Sequence, residues 1–366
     1  MKLTYITRSA VSSPAAQARQ IDAMARAFQA RIGDDFQLVC GGAAVQTAYR
    51  QRLLRWQCSE RIRYAEACAV AMRDSSWTVY TRDIAVAGAA VAAGKLAVYE
   101  AHKEPRGKVA EILTRRLARS ERFLLVAISG ALGDYYRGAY GIPSHRLLVA
   151  HDGVFPEDYV ELRSRDKFAL RAECGLPQER FLIVHTGSLY KGGAELFGAA
   201  AAAAGARSLL VHIGGTRREC EEWNRFYMDR GTENLRFIPH QPQDMARRYQ
   251  VAADALLYVS TKSSPIYWCT SPLKLFEYMA SGTPIIGSNL GSVAEVMNES
   301  NAFCFDPERP ESVFEAVIAC LSNRSEAQQR AERALHEANA CYSWHIRVGK
   351  ILDFTYALGG CVSAGY

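Results

Sequence analysis

The residues of this chain that are best suited to chemistry lie in the stretch 270–286, TSPLKLFEYMASGTPII. Thr270 or Ser271 can cap a helix, Pro272 suits the first helical position, and Gly282 can end the helix before the next strand. The stretch therefore predicts a helix start followed by a strand, which is a common arrangement for binding an anion.

The start of this helix offers groups of both charges. The backbone amides of Leu273 and Lys274 point outward from the N-terminus, where the helix dipole favours a diphosphate, and the Lys274 side chain adds a positive charge. Glu277 follows one turn later and can accept the two hydroxyls of a ribose. An ordinary amphipathic helix with a solvated Glu277 has the same spacing, so spacing alone leaves both interpretations open.

Short apolar segments of strand length alternate with helical patterns along the whole chain, which predicts an α/β protein with parallel sheets. The predicted strands cover residues 3–6, 36–39, 77–80, 96–99, 123–128, 147–150, 181–185, 208–213, 235–238, 255–259, 284–287 and 302–305. We therefore expect two Rossmann-like, doubly wound domains facing a cleft, at residues 1–155 and 156–340, with a C-terminal helix in 341–366 that packs back toward the first domain.

Composition excludes several other classes. The net charge of +6 is compatible with an anionic substrate but identifies none. The ten cysteines form no CxxC pair, so a zinc or redox site is not expected. Neither the N-terminus nor the apolar stretches 85–93 and 196–206 have the pattern of a signal peptide or a membrane span, which favours a cytoplasmic protein.

Longer motifs add a family resemblance. The string SPLKLFEYMASGTPIIGSNLGSVAEV at 271–296 resembles the donor-binding signature of the family-four (group 1) retaining glycosyltransferases of GT-B fold. The segments VYTRDI, VYEAHKEP, VAISGAL, VAHDGV, HTGSLYKGG and YSWHIRVGKIL agree with that family in order and spacing. The resemblance implies a transferase that uses a nucleotide-diphosphate sugar.

Residue by residue, the resemblance assigns donor contacts to the second half of the chain. Glu277 matches the second of two paired glutamates and would bind ribose, whereas the first would fall at Cys269 and is absent. Gly187, Ser188 and Lys191 match a phosphate-binding loop in which Ser188 replaces an arginine, and Lys191 would be the cation for the diphosphate. An exposed loop lysine is the alternative for Lys191.

Further assignments concern the nucleotide base and the reacting sugar. The segment 237–241, with Ile238 and His240, resembles the part that lines the base. His102 matches a histidine near the reacting centre and, with Lys191 and Glu277, is a candidate catalytic residue.

Three further residues complete the candidates of the first half. Glu100 and Arg82 are acceptor-side candidates, although Arg82 could instead form only an ion pair with Asp83. Ser129 is interpreted as a helix N-cap.

The expected reaction is a retaining transfer to a hydroxyl acceptor without a metal or a separate cofactor, because lysines and a helix N-terminus can stabilise the leaving diphosphate. Alternatives are a GT-B nucleotide-sugar epimerase or hydrolase, or a non-catalytic nucleotide-sugar-binding subunit. The segment 49–64, from Tyr49 to Tyr64, is arginine-rich and resembles an interfacial helix, so a lipid-linked or cell-surface glycan and peripheral contact with the inner membrane face are expected. A solvated helix is the alternative, and nucleic-acid binding is not expected.

Overall fold

The computed structural model describes residues 2–13, 15–56, 59–188, 193 and 195–363. The chain divides into two compact units. The first contains the residues up to Asp152, the segment Cys269–Ser271 and the helix that begins at Trp344, and the second contains Gly153–Trp268 and Pro272–Ser343. The sequence-based division differs in three places, since it ends the first domain at residue 155, assigns residues 269–271 to the second and ends the second at residue 340.

Seven strands among the described residues of the first unit form one parallel sheet. They are β1 (Leu3–Ala10), β2 (Phe36–Gly41), β3 (Gln51–Leu53), β4 (Thr78–Thr81), β5 (Leu96–Ala101), β6 (Phe123–Ala127) and β7 (Leu147–Val149). Their order is β3-β2-β1-β4-β5-β6-β7. Every side chain of β4, β5 and β6 is buried, as expected of a parallel sheet with both faces covered.

The helices that connect these strands are α1 (Ala16–Ile32), α2 (Glu60–Arg73), α3 (Ile84–Ala92), α4 (Lys108–Leu117) and α5 (Gly130–Tyr140). The predicted N-cap of α5 is confirmed, because Ser129 Oγ accepts a hydrogen bond from the backbone amide of Leu132. Ser129 therefore begins the helix that follows β6.

The second unit has six described strands in a second parallel sheet, ordered β10-β9-β8-β11-β12-β13. The strands are β8 (Phe181–Thr186), β9 (Ser208–Ile213), β10 (Leu235–Ile238), β11 (Ala255–Tyr258), β12 (Ile285–Ser288) and β13 (Phe303–Phe305). Helices in this unit are α6 (Val160–Ser164), α7 (Lys167–Glu173), α8 (Glu195–Ala204), α9 (Arg217–Met228), α10 (Gln243–Ala252), α11 (Leu273–Ser281), α12 (Pro310–Ser322) and α13 (Arg324–Ala340). The last helix, α14 (Trp344–Ser363), belongs to the first unit.

The direction of winding reverses once in each sheet. In the second unit, β9 and β10 lie on one side of β8, whereas β11, β12 and β13 lie on the other. In the first unit, the same reversal occurs between β1 and β4. Open parallel sheets bind ligands outside the carboxyl ends of the strands at such points, so the rule selects the loops after β8 and β11 in the second unit and those after β1 and β4 in the first.

The predicted fold is confirmed, with two doubly wound units and a described strand at each predicted position. The predicted helix over 49–64 is wrong. Gln51–Leu53 forms β3, which pairs with β2, and α2 begins only at Glu60. The arginines of this segment suggested a helix, but backbone pairing with the buried β2 determines its conformation. None of the helices in the described part of the chain combines the length and hydropathy that a membrane span needs.

Candidate functional site

The carboxylate of Glu277, on α11, is held by side chains of α10. Gln243 Nε2 donates to Glu277 Oε1 at 2.8 Å, and Gln250 Nε2 lies 3.5 Å from Oε2. An amide donor orients a carboxylate without bringing a positive charge to it. These contacts fix the direction of the Glu277 side chain. Because both glutamines are neutral, neither of them compensates the charge of the carboxylate.

The side chain of Gln250 is itself held by hydrogen bonds with buried groups. The Tyr159 hydroxyl donates to Gln250 Oε1 at 2.7 Å, and Gln250 Nε2 donates to Thr186 Oγ1 at 3.3 Å. Burial raises the pKa of Tyr159 well above its ordinary value and the charge of Glu277 raises it further, so the phenol remains a donor. Gln243, Gln250 and Tyr159 are not predictable from the sequence, because no shared motif marks the segments from which they come.

The ammonium group of Lys274 lies over the ends of two neighbouring strands. Its Nζ is 2.9 Å from His185 Nε2 and 4.9 Å from the centre of the Tyr258 ring. His185 is near the carboxyl end of β8 and Tyr258 ends β11, and these strands pair in the sheet. The structure therefore brings the lysine of the helix start to the point where the winding reverses.

Two glycines shape the loop beside this lysine. Gly187 follows β8 with φ +140°, and a Cβ atom there would lie 3.4 Å from Lys274 Nζ. Gly214 follows β9 with φ +147°, and a Cβ atom there would lie 1.8 Å from the Gly187 carbonyl oxygen. Only glycine permits this backbone approach. Ser188 follows in a half-buried position, and Lys191 lies outside the described residues.

The residues predicted to line the base lie at the same edge of the sheet. The carbonyl of Ile238, the last residue of β10, accepts a hydrogen bond from the Gly214 amide at 2.9 Å. The amide of His240 donates to the Gly215 carbonyl at 3.0 Å. Ile238 is half-buried and His240 is exposed. These hydrogen bonds connect the loops after β9 and β10, and the Gly187 amide after β8 donates to the carbonyl of Ile213 in β9 at 2.9 Å.

The start of α11 differs from the sequence-based expectation. Pro272 is its N-cap and makes no side-chain capping bond, so the predicted serine or threonine cap is wrong. Ser271 Oγ instead accepts a hydrogen bond from the Asp152 amide at 2.7 Å, and both residues belong to the first unit. The amides at the start of α11, near Leu273 and Lys274, still point outward from the N-terminus, where the dipole favours an anion.

Cys269, at the position of the absent first glutamate, is fully buried in the first unit. Its carbonyl accepts a hydrogen bond from Ser129 Oγ at 3.1 Å. Burial raises the pKa of the Cys269 thiol to about 12. The side chain is therefore neutral at physiological pH and brings no carboxylate to this position.

A second polar cluster lies in the first unit around Glu100, near the end of β5. The carboxylate is fully buried. His102 Nε2 lies 2.5 Å from Oε1, Gln20 Nε2 donates to Oε1 at 2.8 Å, and the Tyr80 hydroxyl and Arg347 Nη1 donate to Oε2, the latter at 2.8 Å. This burial fits a role in orienting His102 better than direct contact with an acceptor.

Arg347 supplies the positive charge of this cluster from α14. It is 2% exposed, and its Nε also donates to the carbonyl of His151 at 2.8 Å. Burial alone would raise the pKa of Glu100, but Arg347 and His102 hold it well below its ordinary value. Sequence reasoning missed Arg347, because it is 247 residues away from Glu100 in the chain.

His102 is kept neutral in this cluster. Burial and the charge of Arg82 lower the pKa of His102 below its ordinary value, against the opposing effect of Glu100. A neutral His102 beside an ionised carboxylate must donate its Nε2 proton to it, which leaves the lone pair on Nδ1. His102 therefore presents an acceptor nitrogen at the carboxyl end of β5.

Arg82 is tied into the same cluster and does not use Asp83 as its hydrogen-bond acceptor. Arg82 Nη1 donates to Gln20 Oε1 at 2.8 Å, and its Nε is 3.9 Å from Glu100 Oε1. Asp83 is paired with Arg8 at 3.2 Å. The simple Arg82–Asp83 ion pair that the sequence left open is thus replaced by these two separate contacts.

Comparisons with known proteins agree with this architecture. Residues 180–323 match the family model described as "Glycosyl transferases group 1". An uncharacterized glycosyltransferase of Methanocaldococcus jannaschii is 22% identical over 234 residues, which are 62% of this chain and 58% of the relative. The aligned region thus spans less than two thirds of that relative's length.

Solved structures resemble the whole fold. The crystal structure of Anabaena HepE in complex with UDP and glucose superposes with a TM-score of 0.74 and 16% identity, covering 98% of this chain and 100% of that one. Sucrose-phosphate synthase from Thermosynechococcus elongatus gives a TM-score of 0.77 and 14% identity over 98% and 99% of the two chains. The protein therefore has the GT-B fold, and its residues 180–323 resemble the group 1 glycosyltransferases.

Proposed function

We propose that this protein is a retaining glycosyltransferase that transfers a sugar from a nucleotide-diphosphate sugar to a hydroxyl acceptor. The observation that carries the proposal is the start of α11, where Lys274 and Glu277 lie on one helix at the winding reversal of the sheet. Their contacts include the neutral groups His185, Gln243 and Gln250. Complexes of HepE with UDP and with UDP-glucose support a nucleotide sugar as the donor.

We assign protein residues to the ribose, the diphosphate and the base of the nucleotide sugar. Glu277 accepts the ribose hydroxyls, while Lys274 and the first amides of α11 bind the diphosphate. Lys191 would add a second cation. Backbone groups near Ile238 and His240 contact the base, as the family resemblance implies.

The chemical step needs stabilisation of the leaving group above all. The bond between the anomeric carbon and the diphosphate oxygen breaks, and a bond from the acceptor oxygen to the same face of that carbon forms. The acceptor proton passes to the leaving phosphate oxygen. Lys274 and the helix N-terminus provide positive potential for the leaving diphosphate, so we propose a reaction without a metal ion or another cofactor.

His102 is assigned to the transferred sugar in the first unit. Its neutral ring, fixed by Glu100, offers Nδ1 as an acceptor for a sugar hydroxyl. Arg82 and Glu100 support this orientation through the buried cluster. We expect His102→Ala to lower kcat more than it weakens the binding of free nucleotide.

Donor binding is tested by Glu277→Ala. Titration calorimetry with UDP, GDP and their sugar conjugates should show at least about a tenfold loss of affinity for the preferred nucleotide, as expected when charge-assisted hydrogen bonds to ribose are lost. The matched control is Glu222→Ala on the exposed side of α9, which should leave affinity unchanged. Equal affinities of the Glu277 variant and the parent protein would contradict the ribose assignment.

The buried, neutral Cys269 is the observation that supports a second candidate function. A protein without a carboxylate at this position is a candidate for a nucleotide-sugar epimerase or hydrolase, or for a binding subunit without turnover. Incubation with labelled nucleotide sugars and no acceptor separates these functions. Rapid conversion of the donor alone would favour an epimerase or hydrolase, whereas binding without turnover on any acceptor would favour a binding subunit.

The acceptor is proposed to be a lipid-linked or cell-surface glycan, met at the inner face of a membrane. Because Gln51–Leu53 forms a strand, the surface that supports this proposal is instead α4, where Val109 and Ile112 are 81% and 67% exposed. Arg115 and Arg116 are exposed on the same helix, and anionic lipid attracts such an arrangement.

Flotation with vesicles of phosphatidylglycerol and phosphatidylcholine tests this surface. The parent protein should float at low salt, and the double variant V109D/I112D should remain in the dense fraction. Val160→Asp, at an exposed apolar position of the second unit, is the control and should float normally. Flotation of V109D/I112D equal to that of the parent would contradict the assignment of α4.

A further inference from the structure

Two buried histidines lie behind the ammonium group of Lys274. His185 and His212 are register partners on the adjacent strands β8 and β9. Their Nδ1 atoms are 2.8 Å apart, and their ring planes differ by 20°. With Lys274 Nζ at 2.9 Å from His185 Nε2, the three side chains form a continuous row of hydrogen bonds from the helix start into the sheet.

Proton accounting allows one arrangement along this row when Lys274 is charged. The ammonium group has only donors, so His185 Nε2 must accept and His185 must carry its proton on Nδ1. That proton is then donated to His212 Nδ1. His212 must therefore carry its own proton on Nε2, a buried atom that has no hydrogen-bond partner among the described residues, and both rings must be neutral.

The surroundings favour neutral rings. Phe197 packs against both imidazoles, and Phe237 packs against His212, with ring centres 4.9 to 5.4 Å apart. Burial, Lys274 and His212 lower the pKa of His185 well below its ordinary value. Burial and Lys274 lower the pKa of His212 to about 3.

A neutral base suits this position better than a carboxylate would. A carboxylate at residue 185 would orient Lys274 but would also cancel its charge, leaving little attraction for an anion. An imidazole nitrogen accepts a hydrogen bond from the ammonium group and keeps the positive charge available. The absence of a side chain at Gly187, which would otherwise stand 3.4 Å from Nζ, leaves room for an incoming oxygen atom.

We propose that His185 and His212 are positioning residues that direct the Lys274 ammonium group toward the loop at Gly187 while preserving its charge for a diphosphate. The proposal rests on the proposed function, in which Lys274 binds the donor diphosphate. His185 acts directly on Lys274, and His212 acts by fixing the tautomer of His185.

Binding of UDP compared with uridine tests this role, because uridine lacks the diphosphate. Two substitutions test the roles of the two ring nitrogens of His185 separately. His185→Asn can place a donor near Nδ1 but loses the contact with Lys274, whereas His185→Gln can place its amide oxygen near Nε2. We expect His185→Asn to weaken UDP binding about tenfold and uridine binding less than about twofold, the loss of roughly one charge-assisted hydrogen bond. His185→Gln should retain UDP affinity within about threefold.

Lys274→Met separates this inference from the proposed function. If Lys274→Met weakens UDP and uridine equally, the diphosphate role of Lys274 is wrong. If Lys274→Met weakens UDP selectively but His185→Asn does not, the positioning role is wrong and the proposed function stands. In the double variant, the two effects on UDP should not add, because His185 acts through Lys274.

The tautomers give a readout that needs no ligand and no folded variant. Long-range ¹H–¹⁵N spectra of the histidine-labelled parent protein at pH 7 should show one buried ring protonated on Nδ1 and one on Nε2, assigned to His185 and His212. Finding His185 protonated on Nε2 would overturn the proposal. Observing both rings as neutral, with His185 protonated on Nδ1, would support it even if every substitution at this position prevented folding.

Discussion

The two units of this protein handle buried charge in opposite ways. In the first unit, the carboxylate of Glu100 is paired with Arg347 at 2.8 Å and both side chains are almost fully removed from solvent. In the second unit, Lys274 is held by a neutral imidazole, and Glu277 by the amides of Gln243 and Gln250. One unit compensates its charge, and the other orients its charges without adding a counter-charge in these contacts.

This difference separates a structural use of charge from a binding use. In a buried ion pair, each charge is compensated by the other. Removing one partner leaves an uncompensated buried charge and destabilises the fold. A charge fixed by neutral donors or acceptors keeps its attraction for a ligand of opposite sign. This difference agrees with the proposal that the second unit binds an ionic ligand, whereas the cluster of the first unit links α14 to Glu100 and His102.

The largest expected effect comes from breaking the compensated pair. Arg347→Met removes the guanidinium group that pairs with the buried carboxylate of Glu100. We expect a loss of about 3 to 5 kcal/mol in the free energy of unfolding of the first unit. Differential scanning calorimetry measures it. The double variant R347M/E100Q should recover part of the loss, and additive effects in this cycle would show that the two side chains are not energetically coupled.

A smaller effect is expected from the backbone contact beside Lys274. Gly214→Ala would place a Cβ atom 1.8 Å from the Gly187 carbonyl oxygen at φ +147°, so both a clash and backbone strain result. We expect a loss of roughly 2 to 4 kcal/mol in unfolding free energy and weaker UDP binding.

Gly141→Ala is the matched control for that clash, since Gly141 also has a positive φ but a Cβ atom there meets nothing within 4 Å. Its cost should be limited to about 1 kcal/mol of backbone strain, measured by the same calorimetry. Equal costs at Gly214 and Gly141 would contradict the close approach of the two loops.

Acid should destabilise the second unit through its neutral histidines. His212 has an ordinary pKa of 6.5 when unfolded and about 3 in the folded protein, so the unfolded chain binds more protons between these values. Stability therefore falls as the pH is lowered from about 6.5 toward 3, by about 1.4 kcal/mol per pH unit for each such ring. Thermal unfolding at pH 7, 5.5 and 4.5 measures the slope, and His212→Asn should flatten it. An unchanged slope in His212→Asn would mean that this ring is not buried in neutral form.

The smallest effect is expected from an exposed ion pair. Arg218 and Glu222 are one turn apart on α9 and lie 2.8 Å from each other, with side chains 88% and 56% exposed. Because solvent screens such a pair, Arg218→Ala should shift Tm by less than about 1 °C. Comparison with Arg347→Met tests whether burial, and not the mere presence of an ion pair, decides the cost.

Local sequence was sufficient for much of this molecule. The apolar strands of both sheets and the end of α11 at Gly282 follow from patterns within a few residues. The helix predicted over 49–64 was wrong at residues 51–53, because local composition favoured a helix there but backbone pairing with β2 makes these residues a strand.

The sequence by itself determined which residues stand at the start of α11, because Lys274 and Glu277 belong to one helix and their spacing is set by its geometry. Only the tertiary structure decided their partners. Gln243 and His185 come from other helices and strands, and Arg347 reaches Glu100 across 247 residues of chain. The physical reason is that contacts of this kind depend on the stacking of strands and helices, which brings together side chains whose separation in the sequence carries no periodic signal.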